Sequence, residues 1–210
     1  VRMNFDESGE HGKDLTDDYT FTRVRAIAKF GNGSSNSSSG SSSSNTYSSS
    51  NNYSTSGRTY KVGDLYNENG LKGVVFEVSA DGRSGKIVSM TQPTDERLAW
   101  AISSERKTNI GATDLYDGQK NTNKVKAIYN WQTKYPAFAW CASSGSAWYM
   151  PAIKELESLM YNASTLKKVN ATLEANNGTL LSKKGDPRWY WSSTEGTYTA
   201  SGGIRSVKLV

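Results

Sequence analysis

One low-complexity stretch limits what this chain can fold into more than any other feature. From Asn32 to Gly57 the sequence is almost wholly Ser, Asn, Gly and Thr, with no charge and only Tyr47 and Tyr53 as large side chains. Such a stretch cannot bury enough apolar surface to offset the entropy lost on ordering, so we interpret it as a flexible linker. The remaining roughly 180 residues are enough for one good core.

Composition argues against several classes of function. The net charge is +5, but Lys and Arg are scattered among Asp and Glu, whereas a nucleic-acid-binding surface clusters them. The single Cys141 permits no intrachain disulfide, and the lone His11 cannot anchor a multi-histidine metal site. No stretch approaches the roughly 20 apolar residues of a membrane span. We therefore expect no nucleic-acid partner, membrane span, metal or cofactor.

Hydrophobic periodicity predicts an α+β fold. The predicted strands are Val1–Phe5, Tyr19–Phe30, Tyr60–Leu65, Gly73–Val78, Lys86–Met90, Trp189–Ser193 and Ile204–Val210. The predicted helices are Asn121–Lys134, Ala152–Tyr161 and Ser164–Ala175. Helices inside a strand-flanked chain favour α+β over a sandwich.

The two ends of the chain share one strand-like alternation. When the C-terminal residues are read directly into the N-terminal ones, every second residue is apolar. The residues on this face are Val207, Leu209, Val1, Met3 and Phe5. The alternation predicts that the ends form a continuous strand or neighbouring strands, within one copy or between copies. Chance agreement of two short strands is the alternative.

Three motifs resemble one family. They are WYMPAIKEL at Trp148–Leu156, WYWSSTE at Trp189–Glu195, and RVRAIAKF at Arg23–Phe30. Together they are similar to the bacterial C-type-lectin-like domain of secreted paralogous surface proteins, which is distantly related to the formylglycine-generating enzyme fold. In that family the third motif closes the domain, whereas here it precedes the others. The motif order is therefore circularly rotated, and the rotation point is the junction of the two chain ends.

The resemblance implies a C-type-lectin-like fold of mixed antiparallel sheets with two or three helices. Residues 1–31 would supply the family's C-terminal strands to their own or a neighbouring copy, residues 32–57 would be the linker, and residues 58–210 the main body. Because the first and last strands of this fold are neighbours, we expect Phe30 and Tyr60 to lie close together. As a coil the linker reaches roughly 28 Å, enough to close within one domain or to join two.

We find no catalytic constellation in the sequence. The formylglycine-generating relatives use two cysteines, and this chain has only Cys141. A Ser-His-Asp triad would have to use His11, which lies in a Gly- and Glu-flanked loop. Asp95, Asp114 and Asp117 are candidate calcium ligands, but the Glu-Pro-Asn and Trp-Asn-Asp triplets of calcium-dependent lectins are missing. We therefore predict a protein that is not an enzyme and has no metal site.

The motifs also predict local structure. Ser192, Ser193 and Thr194 are suited to bonding neighbouring backbone in a turn after the strand. Alternation in the same strand places Trp189 and Trp191 in the core and Tyr190 on the opposite, outward face. Arg23 and Arg25 should lie on one strand face and pair with Glu155 or Glu195.

Two functions remain open. The first is an extracellular or cell-surface structural module, a repeating unit of a fibre or tandem-repeat protein. Its partners are copies of itself, head-to-tail or in tandem, joined by strand complementation. The alternative is a ligand-binding adhesin domain that holds a protein or glycan through Tyr198, Arg205 and Trp189, since some members of the family vary the segment after this motif to bind ligands.

Overall fold

The computed structural model describes residues 2–3, 22–31, 57–94, 98–105, 108–181, 189–198 and 204–205. The helices of this part are α1 (Gly118–Lys126), α2 (Trp131–Lys134), α3 (Pro136–Ser143), α4 (Ile153–Met160) and α5 (Ala163–Ala175). The strands are β1 (Arg2–Met3), β2 (Thr22–Arg23), β3 (Ile27–Phe30), β4 (Leu65–Glu68), β5 (Leu71–Val78), β6 (Gly85–Ser89), β7 (Trp148–Tyr149), β8 (Trp189–Trp191), β9 (Thr197–Tyr198) and β10 (Ile204–Arg205). The fold class is α+β, as predicted.

A five-stranded antiparallel sheet forms the centre of the fold. Its strand order is β4-β5-β6-β3-β7, so β3 lies inside the sheet although it precedes every other strand of that sheet in sequence. Asn69 and Gly70 join β4 to β5 with φ angles of 54° and 76°, which suits a tight hairpin. A second, three-stranded sheet places β8 between β1 (antiparallel) and β2 (parallel), and β9 pairs with β10.

Two hydrophobic clusters cover the two faces of the five-stranded sheet. The first contains Val75 of β5 with Phe138 and Cys141 of α3. The second contains Val74 of β5 with residues of α4 and α5 such as Leu156. Because neighbouring residues of β5 point into different clusters, this strand is a continuous apolar run, as expected for a strand buried on both sides.

The helices differ from the expectation of two or three, since the described residues form five. Asn130 takes a left-handed φ of 55° and starts the short α2, which breaks the predicted helix at 121–134 in two. Tyr129, between α1 and α2, is 84% exposed. Helix α3 was missed because its sequence, PAFAWCAS, is apolar all round and shows no amphipathic period.

The strand predictions also need corrections. No strand begins at Tyr60, and β4 starts only at Leu65; instead, the Tyr60 N–H donates to the Gly82 carbonyl over 2.7 Å. The expected proximity of Phe30 and Tyr60 is confirmed, because their ring centroids lie 5.3 Å apart. The strand predicted at 19–30 is described from Thr22 onward, where it forms β2 and β3 with a break between them. Of the strands predicted at 1–5 and 204–210, only residues 2–3 and 204–205 are described.

None of the helices in the described ranges is both long and apolar enough to cross a membrane.

Candidate functional site: the inserted strand and its groove

The strand β3 is held by main-chain pairing on both of its edges. Along one edge Ile27 faces Val88 and Phe30 faces Gly85 of β6. Along the other, Ile27 faces Tyr149 of β7. The ladder extends beyond the strand, since the Ser89 N–H donates to the Ala26 carbonyl at 2.9 Å. We call the space between β6 and β7 the β3 groove.

One face of the inserted segment fills the first hydrophobic cluster. Val24, Ala26, Ala28 and Phe30 alternate along the strand and are at most 1% exposed. The Phe30 ring lies 4.7 Å from the ring of Tyr66, and it packs edge-on against Tyr60. Rings at these distances attract one another beyond their area burial, so Phe30 is the main apolar anchor of this face.

The opposite face carries Arg25, Ile27 and Lys29. Ile27 is fully buried in the second cluster. The Arg25 guanidinium, also fully buried, donates to the carbonyls of Ser89 and Thr179, so the prediction that it pairs with Glu155 or Glu195 is wrong. Burial lowers the pKa of Arg25 to about 10, and the group stays charged at neutral pH. Lys29 lies at the rim, 3.1 Å from the Asp117 carboxylate.

The first family-like motif spans β7 and the start of α4, and it contains the buried carboxylate of Glu155. Glu155 accepts hydrogen bonds from the N–H groups of Ala152 and Gly118, at 2.9 and 3.0 Å. It also accepts from the Tyr149 hydroxyl at 3.0 Å and lies 3.3 Å from Lys86 Nζ of β6. Burial raises the pKa of Glu155, and the nearby Lys86 opposes this effect. The carboxylate therefore joins β6, β7 and the starts of α1 and α4.

Residues of the second motif form hydrogen bonds with segments that are distant in the sequence. The Ser193 N–H donates to the Pro151 carbonyl at 2.7 Å, and the Ile153 N–H donates to Thr194 Oγ1 at 3.0 Å. Tyr190, expected to face outward, is fully buried in the second cluster. The Ser193 backbone and the Thr194 side chain thus fix the entry to α4.

Glu195 closes the same motif by holding a loop. Its carboxylate accepts from three consecutive N–H groups, those of Ile110, Gly111 and Ala112, at 2.8, 2.7 and 3.2 Å. Its own N–H donates to the Ala112 carbonyl at 2.8 Å. All of these bonds lie within the chain, which gives Glu195 a structural role.

The three motifs meet at one place in the fold. The third motif pairs with the first where Ala28 faces Trp148, and with the second where Arg23 faces Tyr190. The second and first motifs are joined through Ser193 and Pro151. Segments more than 100 residues apart in the sequence therefore share one hydrogen-bonded centre.

The sequence-predicted ligand residues are placed only through their backbones. Tyr198 faces Ile204, and Arg205 faces Thr197, so Tyr198 and Arg205 share the β9–β10 ladder. Trp189 lies in the other small sheet, opposite Thr22. The side chains of these three residues lie outside what the structure describes.

Of the predicted assembly residues, the structure places one. Met3 lies in β1, where its backbone pairs with that of Tyr190 in β8. Val1, Phe5, Val207 and Leu209 lie outside the described residues. This pairing places the backbone of Met3, and the shared alternation of the two chain ends stays a prediction.

Two of the three candidate calcium ligands, Asp114 and Asp117, form hydrogen bonds within the chain. Asp114 accepts from the N–H groups of Tyr116 and Asp117, both at 2.9 Å. Asp117 caps α1 by accepting from the N–H groups of Gln119 and Lys120. Asp95 falls outside the described residues. Across the ranges that the structure describes, no group of three His, Cys, Asp or Glu side chains is placed to hold a metal ion.

Comparison of the chain with protein-family models, with curated proteins and with solved structures gave no significant match.

Proposed function

We propose that this chain is a non-catalytic extracellular structural module with a C-type-lectin-like fold, the repeating unit of a surface fibre or tandem-repeat protein. Neighbouring units would be joined by strand complementation. One observation carries the proposal: a segment that the linker separates from the main body supplies an interior strand of its sheet. Main-chain pairing on two edges supplies affinity, and the alternating buried side chains supply register.

The resemblance to the bacterial C-type-lectin-like domain is part of this proposal. It is supported by the convergence of the three motifs on one hydrogen-bonded centre, although they are scattered in sequence. It is also supported by the proximity of Phe30 and Tyr60, where the last and first strands of that family would meet. In this interpretation the linker connects the closing strand of one domain to the opening of the next.

The proposal predicts that the oligomeric state of the protein depends on its concentration during folding. A flexible linker gives the attached segment an effective concentration of roughly 1 mM. Chains refolded at about 10 µM should therefore be monomers, and chains refolded at about 1 mM should form exchanged dimers and longer assemblies. Light scattering after gel filtration measures this. Monomers at both concentrations would contradict the assembly role.

The alternative, a ligand-binding adhesin, draws support from the β9–β10 ladder, which brings the backbones of Tyr198 and Arg205 together. Replacing both residues with Ala distinguishes the two functions. If the module is structural, the variant keeps the melting temperature and the refolding behaviour of the wild type. If it is an adhesin, a ligand found by screening a glycan array binds the double variant at least about tenfold more weakly than the wild type, since Tyr and Arg are common anchors.

A further inference from the structure

We propose that the β3 groove is a sequence-selective binding site for a strand, and that its partner is the segment 22–31 of a second copy of this chain. The inference rests on the proposed function and adds which residues of the bound segment determine its affinity for the groove. Pairing along both edges of β3 uses only main-chain groups and would accept many sequences. Selectivity must therefore come from side chains and from positions where the backbone is constrained.

The end of the segment carries the strongest constraint. Gly31 has a φ of +73°, and a Cβ placed there would lie 2.1 Å from the Arg83 carbonyl oxygen. A residue with a side chain is therefore strained at this position and also collides with the β5–β6 turn. The groove requires glycine directly after the last strand residue.

A pocket for Phe30 lies next to that glycine. Its partner across the ladder is Gly85, and a Cβ on Gly85 would come within 3.0 Å of Phe30 Cε1 and 2.1 Å of the Glu77 carbonyl oxygen. The absence of a side chain at position 85 thus makes room for the ring, which Tyr60 and Tyr66 then enclose. The groove accepts a Phe-Gly pair at this end.

The rest of the segment is constrained by size and by charge. Ala28 lies between Ile87 on one side and Trp148 on the other, and it is fully buried. Overpacking such a site is destabilising. Arg25 reaches the Ser89 and Thr179 carbonyls in this register, and a shift by two residues would place its charge where Ile27 is buried. The partner that meets all these conditions is the same segment from another copy.

The segment in the groove can come from a second copy, because the linker separates segment 22–31 from the main body that forms the groove. The residues on either side of the linker contact the β5–β6 turn, Gly31 beside Arg83 and Tyr60 through its bond to Gly82. A coil of 26 residues, the length of the segment from Asn32 to Gly57, reaches roughly 28 Å. That length exceeds what closure between two ends on one turn requires, and it permits exchange with a neighbour.

Synthetic peptides of residues 22–31 test the inference against the full chain carrying Phe30→Ala, whose own segment lacks its anchor. The wild-type peptide should bind and raise the melting temperature. We expect the peptide with Gly31→Ala to bind at least about tenfold more weakly and the one with Phe30→Ala about a hundredfold more weakly. The matched control, Lys29→Ala, changes a rim residue whose side chain is 43% exposed and should bind within about threefold of the wild type.

If the Phe30→Ala chain does not fold, the wild-type chain is refolded with about 1 mM dye-labelled peptide, which competes evenly with the tethered segment. Co-elution on gel filtration then reports the bound fraction, with the same order of peptides. Equal binding of all four peptides would overturn the selectivity and leave strand complementation standing. Binding of none, together with monomers at every refolding concentration, would overturn both proposals.

Discussion

A fragment of residues 58–210 should be insoluble or polymerise when expressed alone. Without β3, the facing edges of β6 and β7 lose their partner in the interior of the sheet. Val24, Ile27 and Phe30 also leave the core, and their burial contributes about 5–9 kcal/mol at 1.5–3 kcal/mol each. That loss rivals the roughly 5–15 kcal/mol margin of a typical domain, and unpaired apolar edges promote aggregation.

Adding residues 1–31 as a separate peptide during refolding should restore a monodisperse fold. Gel filtration and thermal melting followed by circular dichroism measure the recovery, and a peptide of the same composition in scrambled order is the control. A soluble 58–210 fragment that melts cooperatively without the peptide would show that the N-terminal strands do not complete this domain.

The substitution Glu155→Ala should be among the most destabilising single changes in the main body. It removes the acceptor for the Ala152 and Gly118 N–H groups, which are buried, and leaves Lys86 with Glu77 as its remaining partner. Breaking a buried ion pair by removing one partner costs about 3–5 kcal/mol. The continued pairing of Lys86 with Glu77 places our expectation near the lower end, about 3 kcal/mol.

Glu157→Ala provides the matched control, because it makes the same change in the same helix. Glu157 pairs with Lys154 at 2.7 Å, three residues away on α4, with side chains 20% and 28% exposed, and an ion pair at this helical spacing contributes about 0.5 kcal/mol or less. Urea unfolding of both variants gives the comparison at an unchanged m-value. Equal destabilisation by the two substitutions would show that the Glu155 network adds nothing to the stability of the fold.

Periodicity in the sequence predicted the parts of the fold that are amphipathic. Helices α4 and α5 bury apolar residues at helical spacing, such as Ile153, Leu156 and Leu159, and their predicted bounds lie within about two residues of the observed ones. Helix α3 was not predicted, since a helix buried on most sides has no polar face to reveal its period. The break at Asn130 depends on one left-handed residue, which no repeat pattern signals.

The polar contacts of the groove were harder to predict than its apolar ones. The sequence placed Arg25 on the correct strand face but gave it a carboxylate partner, and the structure gives it two main-chain carbonyls. Backbone acceptors are present at every residue, so sequence alone cannot select Ser89 and Thr179 among them. Gly31 and Gly85 did leave a signal, as glycines at the end of β3 and the start of β6, which often marks a close backbone approach.

Hydrogen exchange on the full chain tests most directly whether β3 is an interior strand of the folded domain. If it is, the amides of Ile27–Phe30 should open only with global unfolding and exchange within about tenfold of the slowest amides in β5 and β6, such as those of Val74, Val75 and Val88. Exchange at Ile27–Phe30 as rapid as at the exposed turn around Tyr129 would contradict the insertion of this strand, and with it the proposed mode of assembly.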